Sequence, residues 1–417
     1  MKNHPLIKAL LALRGNPRAC VYTEPLWGIP HSLYSPFAAV YMASLMLTDR
    51  HIGMVASVSM LFQAISALIS GAVTDKLGRK KTTVIFDILA WSVPCLIWAF
   101  SQNFWWFVVA AAFNGLWQIT ANSWTCLLVE DAEKSSVVNI FTFIHLSGQL
   151  AVIFAPLSGI LVNNLTVVPT MRILYGFTFL SMTAKFIILY FYSVETQIGE
   201  TRLKETQGLS ILKIMSGYGK IFRRVFASPA MIMSLALTTI FTITGMITGN
   251  FAGLYITGNL MIPQHFLAYF PIIRSAVIII FMFGLQSRLD KFGFRYPMLA
   301  GILLYITSHI FLILSPQNNL LAPILYIFIE ACAYSLVMPR RDSITVLLIE
   351  PDERARIYSI ITVLTLSVTI PFGYLAGWLS DMDRRYSFLL NIAVFIIAFI
   401  LIARSSKLLQ QSALNKD

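Results

Sequence analysis

The sequence predicts an all-α membrane protein whose twelve transmembrane helices form two pseudo-symmetric six-helix bundles. Composition, a series of bilayer-length apolar runs, and loop motifs repeated between the halves carry that expectation. Of 417 residues, 57% are hydrophobic and only 12% charged, where an ordinary globular chain has about 25% charged residues. So apolar a surface does not stay dissolved, which excludes a soluble enzyme, a secreted disulfide scaffold and a disordered chain. The net charge of +12 sits in short loops between apolar runs, so nucleic acid is not an expected partner. Cys20, Cys95, Cys126 and Cys332 lie far apart, without metal-ligand or redox spacing, and read as free core thiols. No cofactor or metal is expected. The first 20 residues carry Lys2, Lys8, Arg14 and Arg18 around a short Leu-rich run, too short and too charged for a cleaved signal peptide. An amphipathic segment on the inner membrane face is expected there.

A membrane-crossing helix needs about 20 mostly apolar residues. Such runs occur at 21–47 (span 1), 53–73 (span 2), 83–101 (span 3), 104–128 (span 4), 137–162 (span 5) and 170–193 (span 6). The second half supplies 228–256 (span 7), 266–286 (span 8), 297–315 (span 9), 321–347 (span 10), 357–379 (span 11) and 387–404 (span 12). With a cytoplasmic N-terminus, 23 Lys/Arg fall on the inner side, against Arg50, Arg172, Arg384 and Arg385 on the outer. That is the sense of the positive-inside rule. Both termini are therefore expected in the cytoplasm and the chain in the plasma (inner) membrane.

The longest polar stretch, 194–227, divides the chain into a first bundle at 1–193 and a second at 228–417. Within it Leu209, Leu212, Ile221 and Phe222 alternate with Lys213, Lys220, Arg223 and Arg224, the pattern of an interfacial helix. The halves also repeat each other. Asp75-Lys76-Leu77-Gly78-Arg79-Lys80 after span 2 returns as Asp290-Lys291-Phe292-Gly293-Phe294-Arg295 after span 8, and LLVEDAEK from Leu127 returns as LLIEPDER from Leu347.

The stretch Gly71-Ala-Val-Thr-Asp75-Lys76-Leu-Gly78-Arg79-Lys80-Lys81 resembles the signature loop of the major facilitator superfamily, between its second and third helices. The Pro351-Asp352-Glu353-Arg354 loop resembles that family's second half. The resemblance implies a gating contact built from Gly71, Asp75, Gly78, Arg79 and Lys80, with Asp290, Gly293 and Arg295 as the repeat. Gly78 and Gly293 suit tight turns, and Asp75 suits a helix terminus or a nearby Arg. The same basic residues also orient the span, and both roles stand together.

An ionisable group within a span is costly and so points to function. The resemblance places a central cavity among spans 1, 4, 7 and 10. Span 1 carries Glu24, Trp27, His31 and Tyr34 on one helical face; Glu24 either serves the cavity or pairs with Arg18, and His31 either lines it or is a satisfied core histidine. Span 4 presents Asn114, Gln118, Asn122 and Thr125 on one stripe beside Trp117 and Trp124, more amides than helix packing requires. Span 10 has Tyr326, Glu330, Tyr334 and Arg341, with Glu330 the strongest single candidate. Span 7 gives only Thr238, Thr242, Gly245 and Gly249, where close helix packing is an equal reading. Arg274 in span 8 either pairs with Glu330 or binds an anionic substrate group. Asp87, Lys185 and Arg172 lie nearer the membrane faces and read as structural.

The resemblance implies a monomeric secondary transporter that rocks two bundles about a mid-membrane site, carrying a small-molecule substrate through the lipid bilayer with a coupling ion, first of all H+. Two features depart from the family's proton-coupled exporters. Span 4 has Phe113-Asn114-Gly115 and no Arg, and span 5 has Ala155-Pro156-Leu157-Ser158-Gly159-Ile160 with one Pro and one Gly of the usual kink. Lipid or lysolipid translocation, using Arg274 and Arg341 for a phosphate, and sugar translocation are the alternative substrate classes; a membrane sensor on the same fold is a more distant alternative. No GxSxG, HExxH, Walker or Gly-rich dinucleotide motif points to an enzyme.

Overall fold

The structure, a computed structural model, describes residues 5–133, 136–215, 218–285, 289, 292–347 and 354–404. It is helical throughout, with no strand among the described residues. Among the described residues, ten helices are long and apolar enough to cross a membrane, including Asp49–Leu77, Arg79–Phe100, Val167–Tyr192 and Arg384–Arg404. Spans 1 and 4 are helical as well, but interrupted.

Proline and glycine chemistry explains the interruptions. Span 1 runs as Gly15–Thr23, Pro25–Tyr34 and Ala38–Ser44, with a single tight turn at Ser35–Phe37. Pro25 opens one segment and Pro30 lies inside it, each without an N–H to extend the backbone ladder. Span 4 runs as Phe104–Asn114 and Trp117–Val129. At the break, Gly115 comes so close to span 2 that an added Cβ would stand 2.5 Å from Phe62 Cβ. Span 3 holds a wide turn at Ile88–Ser92. Pro94 cannot donate to the Ala90 carbonyl, and Asn114 Nδ2 supplies that hydrogen bond from span 4 at 3.0 Å.

The chain forms two compact units, Met1–Ser35 with Val58–Gly217, and Pro36–Ser57 with Tyr218–Asp417. In the first, span 6 packs against spans 1 and 3. Ser32 Oγ donates to Ala151 O at 2.8 Å where span 5 crosses span 1. Asn16 and Val194 exchange two hydrogen bonds, tying the N-terminal helix to the end of span 6.

The second unit combines spans 7–12 with the segment 36–57. The first turns of helix Asp49–Leu77 lie directly on span 11: a Cβ on Gly53 would strike the Gly373 carbonyl, and one on Gly377 would stand 2.7 Å from Asp49 O. Asp49, 5% exposed, receives Arg384 on both carboxylate oxygens at 2.8 and 3.1 Å, and the Ser380 hydroxyl at 2.6 Å. Helix Tyr218–Ala227 occupies part of the expected amphipathic stretch. Its Val225 is buried against Met231, Ile357, Ile360 and Ile361, and its Phe222 and Phe226 remain exposed.

Candidate functional site

Two buried arrangements in the first unit and one in the second gather most of the ionisable groups that the sequence singles out. The first lies at the turn between spans 2 and 3. Gly78 takes φ +84°, a conformation open to glycine at no steric cost. The turn brings Arg79 Nη1 to Asp75 Oδ1 at 3.0 Å and Arg79 Nε to the Glu130 carboxylate at 3.1 and 3.2 Å. Glu195 accepts the N–H groups of Arg79 and Lys80 at 2.8 and 3.1 Å. A carboxylate thus caps the new helix at its positive end. Thr196 Oγ1 donates to Glu130 at 2.5 Å, and Thr206 Oγ1 donates to Asp75 O at 3.1 Å. Helix Gln197–Glu205 is in this way fastened over the loop. Gly71 lies one turn before Asp75 in the same helix, and Lys80 lies over the Tyr190 ring at 4.9 Å.

In the repeat, Gly293 also has a positive φ of +65°, and Arg295 Nη2 donates to Ala403 O at 2.7 Å. Asp290 lies outside the described residues. Arg295 therefore closes its turn on the last helix, Arg384–Arg404, where Arg79 engages carboxylates.

The second arrangement is the interior of the first unit. Glu24 sits at the joint between Gly15–Thr23 and Pro25–Tyr34, and Lys185 Nζ of span 6 meets its Oε2 at 2.8 Å. Its partner is thus Lys185 on span 6. Further along the same face, Trp27 stacks on His31 with ring centroids 4.8 Å apart, and Trp91 meets the Trp27 edge at 5.4 Å. Tyr34 lies 5.1 Å from Tyr175 and 6.3 Å from Trp98. The aromatic stripe of span 1 therefore becomes a cluster with spans 3 and 6. In span 4, Asn114 serves the Ala90 carbonyl, while Trp117, Gln118 and Asn122 are half-buried on the following helix. Asn122 Oδ1 receives the Cys126 thiol at 3.9 Å. The Trp124 indole N–H is buried without a partner, and Lys185 Nζ lies 5.8 Å from that ring's centroid.

The third arrangement is in the second unit. Arg274 of span 8 binds Glu330 of span 10 through two parallel hydrogen bonds, Nε to Oε2 at 2.8 Å and Nη2 to Oε1 at 3.2 Å. Its guanidinium also lies 4.4 Å from the Tyr334 ring centroid. A planar fork of this kind joins a carboxylate bidentately and stacks on an aromatic face. Arg341, further along span 10, pairs with its neighbour Asp342 at 2.6 Å. On span 7, a Cβ added at Gly245 or Gly249 would meet no atom within 4 Å, so these glycines are not close-packing positions.

The family profile of the Major Facilitator Superfamily matches residues 28–286. The chain belongs to the Major Facilitator Superfamily. Its ten bilayer-length apolar helices among the described residues make it a multi-pass membrane protein of that family. This superfamily member is 26% identical over 236 residues to the multidrug resistance protein MdtG of Yersinia enterocolitica serotype O:8 / biotype 1B (strain NCTC 13174 / 8081), covering 54% of this chain and 52% of that protein. It is 32% identical over 96 residues to MdtG of Rahnella sp. (strain Y9602), covering 22% of this chain and 23% of the relative. The chain thus aligns with about a quarter to a half of the length of these relatives. Among solved structures, a point mutant of the nucleoside transporter NupG superposes with a TM-score of 0.73 at 14% identity, over 93% of this chain and 99% of that one. The human organic anion transporter MFSD10 gives a TM-score of 0.63 at 12% identity, over 96% and 100% of the two chains. At such identities these likenesses concern the fold.

For this superfamily member, sequence reasoning found Glu24 but not its partner. The available signal was charge matching, since Lys185 is the sole Lys inside the first six spans as Glu24 is the sole Glu. Trp91 and Trp98 were legible too: a separation of seven residues in span 3 places both on one helical face.

Proposed function

We propose that this chain is a secondary active transporter of the plasma membrane that exports a small organic solute by alternating access, driven by a proton gradient, with both termini in the cytoplasm and as a monomer. The observation that carries the reading is the pair of carboxylate–cation contacts inside the spans, Glu24 with Lys185, which is buried, and Glu330 with Arg274, which is half-buried. Ion pairs inside a membrane protein are expensive and mark substrate or ion pathways. Protonation of either carboxylate releases its cation, which gives a proton a way to change the conformation. The aromatic faces of Trp27, His31, Tyr34 and Tyr334 suit a flat or amphiphilic organic molecule. Export suits the multidrug resistance for which the MdtG relatives are named. The Arg79–Asp75–Glu130 cluster is the gate of this mechanism, made and broken as the loop engages the linker.

The test is transport in proteoliposomes. Thermal shift at two pH values against sugars, sugar phosphates, amphiphilic cations and lysolipids first finds a ligand. One present at 100 times its Kd stabilises by about 2.7 kcal/mol. Full activity with unchanged pH dependence in the Glu24→Gln/Glu330→Gln double variant removes the proposal. Phosphate-bearing lipids are disfavoured as substrates because Arg274 and Arg341 both already hold carboxylates.

A further inference from the structure

The polar stretch between spans 6 and 7 holds two helices of opposite electrostatic character. Helix Gln197–Glu205 sets Glu200 and Glu205 against Arg202 and Lys204, and Arg202 Nη1 meets Glu205 at 2.7 Å. Its charges balance within the helix. From Thr206 to Ser228 the chain carries Lys213, Lys220, Arg223 and Arg224 and no acidic residue. Four positive charges therefore precede span 7, whose helix opens at Pro229, with no carboxylate in their own segment.

Helix Tyr218–Ala227 sorts its residues by face. Val225 is fully buried against Met231 of span 7 and Ile357, Ile360 and Ile361 of span 11, with Leu235 and Leu364 packed around them. At about 3.6 residues per turn, Phe222 and Phe226 fall on one flank of Val225, the positions of Lys220 and Arg224 on the other, and Arg223 towards the back. The Phe222 and Phe226 rings lie 4.9 Å apart and both are exposed, as is Arg223. Leu212 and Lys213, neighbours in the short helix Ile211–Ile214, are exposed as well. Ser228 then caps span 7, its hydroxyl accepting the Met231 N–H at 3.4 Å and its carbonyl the Ile232 N–H at 3.0 Å. One capping residue thus separates the basic helix from the span.

Water suits only part of this surface, because exposed Phe rings lose free energy there, and hydrocarbon suits only the rest, because Lys and Arg are costly in it. The boundary of a bilayer takes both, rings at the acyl edge and cations among the headgroups. Four or more Lys/Arg beside a spanning helix attract anionic lipid. A soluble acidic protein or RNA would meet the charges and leave Phe222 and Phe226 without an apolar partner. We infer that helix Tyr218–Ala227, with Lys213 before it, is a docking surface for anionic phospholipid headgroups, and that Val225 transmits this contact to the adjoining ends of spans 7 and 11. From the reading above the inference takes only the side of the membrane, the cytoplasmic leaflet.

The test is hydrogen exchange of the full-length protein in nanodiscs of phosphatidylcholine, with and without phosphatidylglycerol. Exchange at 218–227 slows in the anionic discs by about fivefold or more, what a single basic residue gains at an anionic surface. Exchange at 357–361 slows with it, and helix Gln197–Glu205 does not respond. Equal exchange at 218–227 in both lipids overturns the docking surface. The Lys213→Gln/Lys220→Gln/Arg223→Gln/Arg224→Gln variant exchanges alike in both discs; a retained lipid difference overturns the role of these charges. Should that variant fail to purify, salt decides on the wild type. At about 1 M, where the Debye length is about 3 Å, the lipid difference disappears; a difference that survives overturns the charge basis. Val225→Ala keeps the response at 218–227 and loses it at 357–361, and a response retained at both overturns the transmission. Slowing by added polyuridylate in neutral discs, with none from phosphatidylglycerol, overturns the lipid in favour of a soluble polyanion. None of these readouts involves a solute, so failure of the transporter reading, seen as absent flux in proteoliposomes, is a separate result.

Discussion

The Ser57 hydroxyl accepts the Tyr374 N–H at 2.8 Å and donates to the Ile370 carbonyl at 2.6 Å. It thereby bridges the two backbone groups that an α-helix joins directly. Pro371 lies inside the same turn of helix Arg354–Met382 and withholds one donor. A side chain inserted in the ladder beside a proline is a recognised cause of a helix bend.

Ser57→Ala tests how far the helix depends on that hydroxyl. The Tyr374 N–H and Ile370 carbonyl can then bond each other, so the stability cost should stay within about 1 kcal/mol. Hydrogen exchange in the segment around Tyr374 then slows. Faster exchange there, or a loss several times larger, would show that the ladder cannot close by itself.

Glycine substitutions should divide sharply by position. A Cβ on Gly377 would stand 2.7 Å from Asp49 O and 2.9 Å from Gly53 Cα, both backbone atoms unable to step aside. Gly377→Ala should cost about 1–3 kcal/mol, the usual range for overpacking. Gly245→Ala and Gly249→Ala, which meet no atom within 4 Å, should leave the melting temperature at or slightly above wild type, since Ala is the better helix former. Equal behaviour of the three variants in a detergent melting series would refute the close packing of span 2 on span 11.

Asp49→Asn weakens a buried carboxylate's hold on Arg384 and Ser380. Arg384 keeps its bond to Leu254 O at 3.1 Å and is partly exposed, so the loss should fall below the 3–5 kcal/mol typical of fully buried pairs, at about 1–3 kcal/mol. Arg384→Lys should lose nearly as much, because an ammonium cannot reproduce the two-pronged contact. A melting temperature for Arg384→Lys equal to wild type would count against that geometry.

The all-helical membrane fold was legible because hydropathy is a property of local sequence. Its limits are local too. The apolar run of span 2 covers 53–73, whereas the helix runs Asp49–Leu77; the polar ends Asp49 and Lys76 continue the helix but not the apolar run. Spans 1 and 4 read as continuous, although Pro25 and Pro30 mark the interruption of span 1, and Gly115, pressed against Phe62, marks that of span 4. Asn114 joined a polar stripe on span 4, yet its amide serves a carbonyl left open by Pro94 of span 3. Glu24 and Lys185 lie 161 residues apart, and no pattern within either span specifies that they meet. The stripe Glu24, Trp27, His31 and Tyr34 did survive as one face, because residues three and four apart on a helix stay together whatever packs against them.

The loop cluster predicts a split between folding and turnover. Arg79 is 5% exposed and engages Asp75 and Glu130 together. Arg79→Lys keeps the charge but cannot span both carboxylates. Transport should fall at least tenfold while the protein still purifies as a monodisperse species, because the Glu195 cap acts on backbone N–H groups that the substitution spares. Wild-type turnover in Arg79→Lys would reduce the cluster to a topogenic role.

Arg274 and Glu330 offer a cycle in which pairing and substrate binding give different answers. Each single variant, Arg274→Met or Glu330→Gln, strands or weakens a charged partner. Arg274 is 37% exposed at its side chain and Glu330 13%, so solvent screens the pair and the coupling energy should be about 1–2 kcal/mol. The double variant should recover part of the stability lost by the singles, since removing both charges leaves neither uncompensated. Transport should not recover with it if the pair takes part in the working cycle. A double variant that regains both stability and transport would make the pair a structural strut. Additive losses, with no coupling in the melting data, would mean that the two side chains do not meet in the folded protein.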